Sequence, residues 1–483
     1  MNYTSDNSTL KTKTILGIIW SFLEQVGKRG ITGLVTLVLA AFLTPEDFGL
    51  VAMISVFIEI ARTIMESGFR EALIRKKNAE QIDFCTAFYA NIALGIVAYF
   101  ILFFSAPYIA DFYNEQRLIF LIRVVAVVII IQSFQVIQIA SLSRKLDFKA
   151  QLMASIPGAI ISGTIAIILA YLGAGVWALI AQIMLSAFFM TMFLWFTNKW
   201  RPRLLFRIGS LKEMFGFGSK LFLSSLIDIT FQNLFVLVIA KLFTATEAGY
   251  YFFALKIQQM LIMQMTTSVQ KVTYPALSSI QDNFDKLKYG FQKLLQVLTF
   301  VIFPLVLFTA AVAEPVIELF LSHKWLPAVP YVQLLLLAGL LIPVHSVNLN
   351  ILKVKGRSDL FLYLEVFKKL LVVVVLFLSS FYGIFAILFG RIINSILGYI
   401  PNSYFSAKLI GYGTKQQIRD INPQLLLSGS IALISYFCVS FFTFHPALEI
   451  FTFFSLSWVL YMCFAYLLKF KSFYTIINLL NKE

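Results

Sequence analysis

The sequence predicts an all-α polytopic membrane protein with about 14 transmembrane helices: two parallel-repeat six-helix lobes around a central cavity, plus two C-terminal helices. Three observations carry this expectation. Apolar runs of spanning length recur along the whole chain, and a bilayer core needs roughly 20 apolar residues per helix. Only 13% of the 483 residues are charged and 59% are hydrophobic, with a mean hydropathy of +0.85. A soluble domain carries about 25% charge. The third observation is the distribution of lysine and arginine among the loops.

The runs lie at about 15–41, 48–69, 84–106, 118–141, 150–172, 176–197, 213–240, 248–275, 289–313, 329–352, 361–383, 385–407, 423–444 and 447–468. Helices that cross in alternation sort the connecting segments into two sets. One set, which includes both termini, holds 26 basic residues, among them Arg70, Arg75, Lys76 and Lys77, then Arg144, Lys145 and Lys149. The other holds three: Arg117, Lys241 and Lys324. Basic residues near short loops mark the cytoplasmic side, so both termini are expected in the cytoplasm. Much of the formal charge of +15 is then topology. Nucleic-acid binding is not expected, because the basic residues are spread over eight loops and form no single patch.

The expected organisation is a polar tail at 1–14, a first lobe at 15–205, a second at 206–410, two further spans at 411–469 and a tail at 470–483. "MNYTSDNSTLKTK" leads into a span with no small-residue cleavage site, so it reads as retained. Cys85, Cys438 and Cys463 sit in apolar runs and make no metal or redox pattern. The longest outer connections are expected at 107–117 and 314–328.

The first two spans are joined by "LTPEDFGL" (43–50), whose proline, acids and glycine make a tight outer turn. Gly49 there permits a close approach of backbones. The turn has a twin. "LAAFLTPEDFGL" (39–50) aligns without a gap with "IAKLFTATEAGY" (239–250), matching Ala40 to Ala240, Thr44 to Thr244 and Gly49 to Gly249. The twin joins the seventh and eighth spans. Six spans separate the two turns, so both halves enter the membrane in the same sense, the plan of a parallel repeat.

Ten basic residues remain inside spans: Lys28, Arg29, Arg62, Arg123, Lys220, Lys256, Lys293, Lys368, Lys369 and Arg391. Five acids accompany them: Glu24, Glu59, Glu66, Asp228 and Glu365. Charges in hydrocarbon are costly and normally face a protein interior or a watery cavity. Glu59, Arg62 and Glu66 share a helix face, and Asp228 and Lys256 lie at comparable depth. Both groups also read as ion pairs that pin helices together. Lys220, Lys293 and Arg123 can snorkel to an interface. The positive excess at Lys28, Arg29, Arg62, Lys256, Lys368, Lys369 and Arg391 points to a water-filled cationic cavity suited to an anionic substrate. The acids are candidates for ion pairing or for binding a coupling ion. His345 reads as hydrogen-bonded packing, and "FGFGSK" (215–220) as close helix packing. No Walker loop, nucleotide fingerprint or zinc pattern occurs, so no cofactor and no metal is expected.

"LTPEDFGLVAMISVF", "GFREALIRKK" (68–77) and "SRKLDF" (143–148) resemble the oligosaccharide flippases of bacterial polysaccharide assembly. So do "YPALSSIQDNFDKLK" (274–288), "AEPVIELFLSHKWLPAVPYVQLL" (313–335) and "GRSDL" (356–360). The resemblance spans nearly the whole chain. It is nearest to the colanic-acid-exporter-like branch of the polysaccharide transporters, within the multidrug/oligosaccharidyl-lipid/polysaccharide exporter superfamily. It implies alternating access in the bacterial inner membrane. The substrate would be an undecaprenyl-diphosphate-linked repeat unit, moved to the outer leaflet for capsule, exopolysaccharide or O-antigen. It also implies a proton or sodium ion as driver and a polymerase and chain-length machinery as partners. A cation-coupled multidrug exporter of the superfamily would be expected to have twelve spans and an acid-biased cavity. The flippase of the peptidoglycan precursor lipid shares the span count but is disfavoured by the loop motifs. A membrane glycan polymerase would want a large outer loop, and a non-transporting scaffold would tolerate loss of the deep charges.

Overall fold

The computed structural model describes residues 4–263, 265–266, 273, 276–441 and 444–480. Among the described residues the regular structure is helical, without strands. Eleven helices among the described residues are long and apolar enough to cross a membrane. They are α2 (Pro45–Glu66), α4 (Gln81–Tyr113), α5 (Arg117–Arg144), α6 (Phe148–Tyr171), α7 (Val176–Thr197), α8 (Ile208–Leu242), α10 (Phe284–Ala311), α12 (His323–Val354), α14 (Ile384–Ile410), α15 (Thr414–Phe441) and α16 (Pro446–Leu467). Short helices α3 (Phe69–Arg75), α11 (Ala313–Phe320) and α17 (Lys471–Leu480) lie between or after them.

Three expected spans fall outside those eleven, each for a visible reason. Helix α1 (Thr4–Phe42) and helix α13 (Ser358–Ser380) have the length, but each carries three charges in its span, which dilute its apolar character. They are Glu24, Lys28 and Arg29 in α1, and Glu365, Lys368 and Lys369 in α13. The eighth run is covered by α9 (Ala245–Gln258) and a π-turn at Gln259–Met263. Most of the remainder of that run, 264 and 267–272 with 274–275, lies outside the described residues. Both outer connections expected to be longest are largely helical. Helix α4 runs on through Pro107 to Tyr113, because an apolar sequence carries a membrane helix past a proline at modest cost. The 314–328 segment folds as α11 and a 3₁₀ turn at His323–Ala328.

The tight turn is built as its residues dictate. Thr44 caps α2, accepting from the Asp47 backbone N–H at 3.2 Å, while Asp47 Oδ2 accepts from the Thr44 N–H at 2.9 Å. Pro45 takes the first helical position, where its missing N–H costs nothing. The twin repeats the device: Thr244 accepts from the Glu247 N–H at 3.2 Å, and Glu247 Oε2 from the Thr244 N–H at 3.1 Å.

The chain divides into two compact units, 1–252 and 253–483. In the first, α6 packs on α1 and α7, and α2 packs on α4 and α8. The two capped turns meet inside this unit. A Cβ on Gly49 would stand 1.7 Å from the Ala245 carbonyl oxygen, and one on Gly249 would stand 1.7 Å from that of Pro45. In the second unit α10 packs on α15, and α14 on α12 and α13. A buried polar network ties these helices. Asn348 and Gln417 bond each other in both directions, at 3.0 and 2.9 Å. Tyr399 donates to Gln417 at 3.1 Å and Ser406 to Asn348 at 2.6 Å. Asp420 accepts from Tyr412 at 2.7 Å and from Gln292. The Tyr461 hydroxyl, buried on α16, donates to the Phe300 carbonyl of α10 at 3.1 Å.

Candidate functional site

The polar face of α2 meets α8 because glycine stands on both sides of the contact. Helix α2 ends at Glu66, with Ser67 at φ 40° and Gly68 at φ 72° turning the chain into α3. A Cβ on Gly68 would lie 2.6 Å from the Gly218 carbonyl oxygen, and one on Gly218 would lie 2.6 Å from that of Ser67. The packing role expected for "FGFGSK" is met at Gly218, whereas a Cβ on Gly216 would meet nothing within 4 Å. From Gly218, residues 225, 229 and 233 follow at seven, four and four, a single helix stripe. That stripe runs beside Glu59, Arg62 and Glu66.

A cavity of about 370 Å³ results, lined by Glu59, Arg62, Thr63, Glu66, Gly68, Glu71, Leu221, Phe222, Ser225 and Ile229. Arg62 Nε bonds Glu66 Oε1 at 3.1 Å, and Asn233 Nδ2 donates to Glu59 Oε2 at 2.7 Å. The Arg62 side chain stays 54% exposed, so this pair is open to water and adds about 0.2–1 kcal/mol at most. Three carboxylates and one guanidinium line the cavity. The positive excess of the spans is therefore not gathered here. Glu71, Ser225 and Asn233 were missed by sequence reasoning, although the 218–225–229–233 stripe was visible in principle.

The other expected residues of the first unit lie on α1 and α8 and do not line this cavity. Lys28, half-buried on α1, is in electrostatic reach of Glu24, Arg29 and Arg62. Its Nζ contacts Met190 Sδ of α7 at 3.4 Å, a weak acceptor that does not neutralise it. Arg29 is exposed, and Asp228 is half-buried on α8.

In the second unit Lys368 pairs with Glu365 one turn away on α13. The stem of Lys368 and the His345 ring approach Gly398 of α14, where an added Cβ would meet each at 3.8 Å. His345 Nδ1 lies in hydrogen-bond contact with the Asn402 side-chain amide at 2.9 Å, which supports the packing role expected for this histidine. Lys369 and Arg391 are half-buried on α13 and α14, and Lys256 is exposed on α9. Among the described residues no group of His, Cys, Asp and Glu could hold a metal.

Residues 38–330 match the family described as Polysaccharide biosynthesis protein. Lipopolysaccharide biosynthesis protein WzxC of Escherichia coli (strain K12) is 28% identical over 440 residues, covering 89% of this chain and 88% of that protein. Teichuronic acid biosynthesis protein TuaB of Bacillus subtilis (strain 168) is 26% identical over 397 residues, covering 80% and 81%. Among solved structures, Lipid II flippase MurJ in an inward closed conformation superposes with a TM-score of 0.72 at 16% identity, over 94% of this chain and 99% of that one. An inward-facing multidrug resistance MATE family transporter of the MOP superfamily superposes at 0.62 and 16% identity, over 79% and 95%. The fold is therefore the one these transporters share.

Proposed function

The chain belongs to the polysaccharide biosynthesis protein family, and from that premise we propose that it flips undecaprenyl-diphosphate-linked oligosaccharide repeat units. Transfer runs from the cytoplasmic to the outer leaflet of the bacterial inner membrane and supplies capsule, exopolysaccharide or O-antigen assembly. The single observation that carries this is the end-to-end match to WzxC, 89% of one chain on 88% of the other. A multi-pass helical chain with a transporter fold is the right vehicle for a lipid-linked cargo, and catalysis is not part of its role.

In this reading the lobes 15–205 and 206–410 alternate access, and both termini face the cytoplasm. Lys28, Arg29, Arg62, Lys256, Lys368, Lys369 and Arg391 attract the diphosphate and acidic sugars, for which charge-assisted hydrogen bonds are the strong contacts. Glu59 and Glu66, open to the first-unit cavity, are the acids best placed to take up a proton or sodium ion. Glu24, Asp228 and Glu365 balance cations within the spans. The glycan polymerase and chain-length machinery are the expected partners downstream.

The test uses cells of the source organism lacking the protein. Lipid-linked units should accumulate and stay hidden from a membrane-impermeant glycan probe applied to spheroplasts. Wild-type protein should expose them. Units that reach the outer face normally without the protein would overturn the proposal.

A further inference from the structure

A second cavity, of about 310 Å³, lies at the other side of the α2–α3 break, lined by Ala72, Arg75, Lys76, Lys77, Glu213, Met214 and Phe217. Its construction differs from that of an ordinary basic loop. The Arg144 guanidinium, at the end of α5, donates to the carbonyls of Leu73, Lys76 and Lys77 and so fixes the segment that carries the cations. Lys76 is held between Glu213 at 2.8 Å and Asp83 at 3.1 Å. Arg75 stacks over the Phe217 ring, 4.3 Å from its centroid. Arg75 and Lys77 are exposed, and among the described residues neither is in an ion pair.

The cavity therefore has an apolar floor of Ala72, Met214 and Phe217, and a rim of three cations against one carboxylate. Lys76 is already neutralised. The surplus sits on Arg75 and Lys77, and exposed Ile74 adds an apolar side chain beside them. The preference for basic residues on one side of a membrane accounts for their presence. It does not account for their convergence on one cavity, or for an arginine spent on holding that cavity's backbone. A volume near 300 Å³ is at the lower end of small-ligand sites.

We propose that this cavity is a receiving site for the phosphate groups of a membrane lipid, with Arg75 and Lys77 as the binding cations. Its assignment to the loading side of the membrane rests on the flippase reading above. The shared chemistry is a lipid phosphate. The source is either the diphosphate of a lipid-linked glycan or the phosphodiester of an ambient anionic phospholipid.

The experiment measures equilibrium binding of a fluorescent polyprenyl diphosphate to full-length protein in phosphatidylcholine nanodiscs, with phosphatidylglycerol as competitor. R75Q/K77Q should weaken binding about tenfold, in keeping with the loss of charge-assisted contacts. Glu213→Gln, which removes the one carboxylate lining the cavity while Lys76 keeps its bond to Asp83, should tighten it several-fold, a gain that misfolding cannot imitate. Lys145→Gln, an exposed cation of the same side outside the cavity, should leave binding unchanged. Failure of phosphatidylglycerol to compete supports the diphosphate as occupant, and competition at parity supports the ambient phospholipid. The proposal is overturned if R75Q/K77Q binds both lipids as wild type does, or if Lys145→Gln weakens binding equally. Because no transport is read, either result leaves the flippase reading to its own test.

Discussion

Glu59 and Arg62 sit one helical turn apart and are held in different ways. Glu59 accepts from Asn233 on another helix, whereas Arg62 is paired within its own helix and is half exposed. The two should respond differently to substitution. Arg62→Ala is expected to leave the thermal midpoint nearly unchanged, since an exposed pair is worth about 0.2–1 kcal/mol, while lowering export of lipid-linked units several-fold. Equal stability and equal export would remove Arg62 from the pathway. Asn233→Leu should lower stability by about 1 kcal/mol through loss of the hydrogen bond to Glu59, read by thermal unfolding in detergent. At the α4–α5 turn, the hydrogen bond and charge of Arg117 hold the Glu115 carboxyl below its ordinary value. A depressed folded value means stability that is present above about pH 4.3 and is lost as pH falls below it. Arg117→Gln should flatten that acid limb of the stability profile. The α2 residues were legible in the sequence because their spacing is a helix face. The pairing of Glu59 with Asn233 was not, since the two lie 174 positions apart and the stripe that carries Asn233 does not say which helix it faces.

At the scale of elements, the capped turns are the clearest case of residues dictating structure. Threonine, proline and an acid three places on are the chemistry of a helix start, and the turn at 43–47 forms on that plan. Thr44→Ala should cost about 1 kcal/mol. Gly49→Ala should cost considerably more, although alanine is the better helix former by about 1 kcal/mol. The new methyl would stand 1.7 Å from the Ala245 carbonyl oxygen, so the crossing must open. Gly249→Ala should have a matching effect through Pro45. A thermal midpoint unchanged in both variants would refute the close crossing. The sequence showed that Gly49 permits an approach and that it has a twin. That the twin is the thing approached needed coordinates, because a repeat says nothing of contact between its copies. Helices α1 and α13 show the opposite limit: charges that cost them apolar character are the same charges that make them interesting.

For the whole molecule, apolar runs and loop charge made the membrane class plain from the sequence alone, and the helical architecture of the described residues, strand-free among them, agrees. The polar network of the second unit was not legible. Asn348, Tyr399 and Ser406 stand in apolar runs and Gln417 in the polar connection after 407, with no shared spacing, and only packing brings them together. Gln417→Leu should destabilise that unit by about 1–3 kcal/mol, because Asn348 and Tyr399 would lose buried partners. Hydrogen exchange confined to residues 253–483 would report it. The cations Lys28, Lys369 and Arg391 are spread across both units. In our account they serve one anionic cargo in turn as access alternates.

The measurement that tests this central claim most directly is translocation by purified protein. Proteoliposomes carrying a labelled undecaprenyl-diphosphate oligosaccharide would be probed with a membrane-impermeant glycan-modifying enzyme. The account predicts that wild-type protein brings label from the inner leaflet within reach of the enzyme, and that K28A/R29A, folded to the same thermal midpoint, is markedly slower. Label that stays protected at the rate of protein-free liposomes would contradict it.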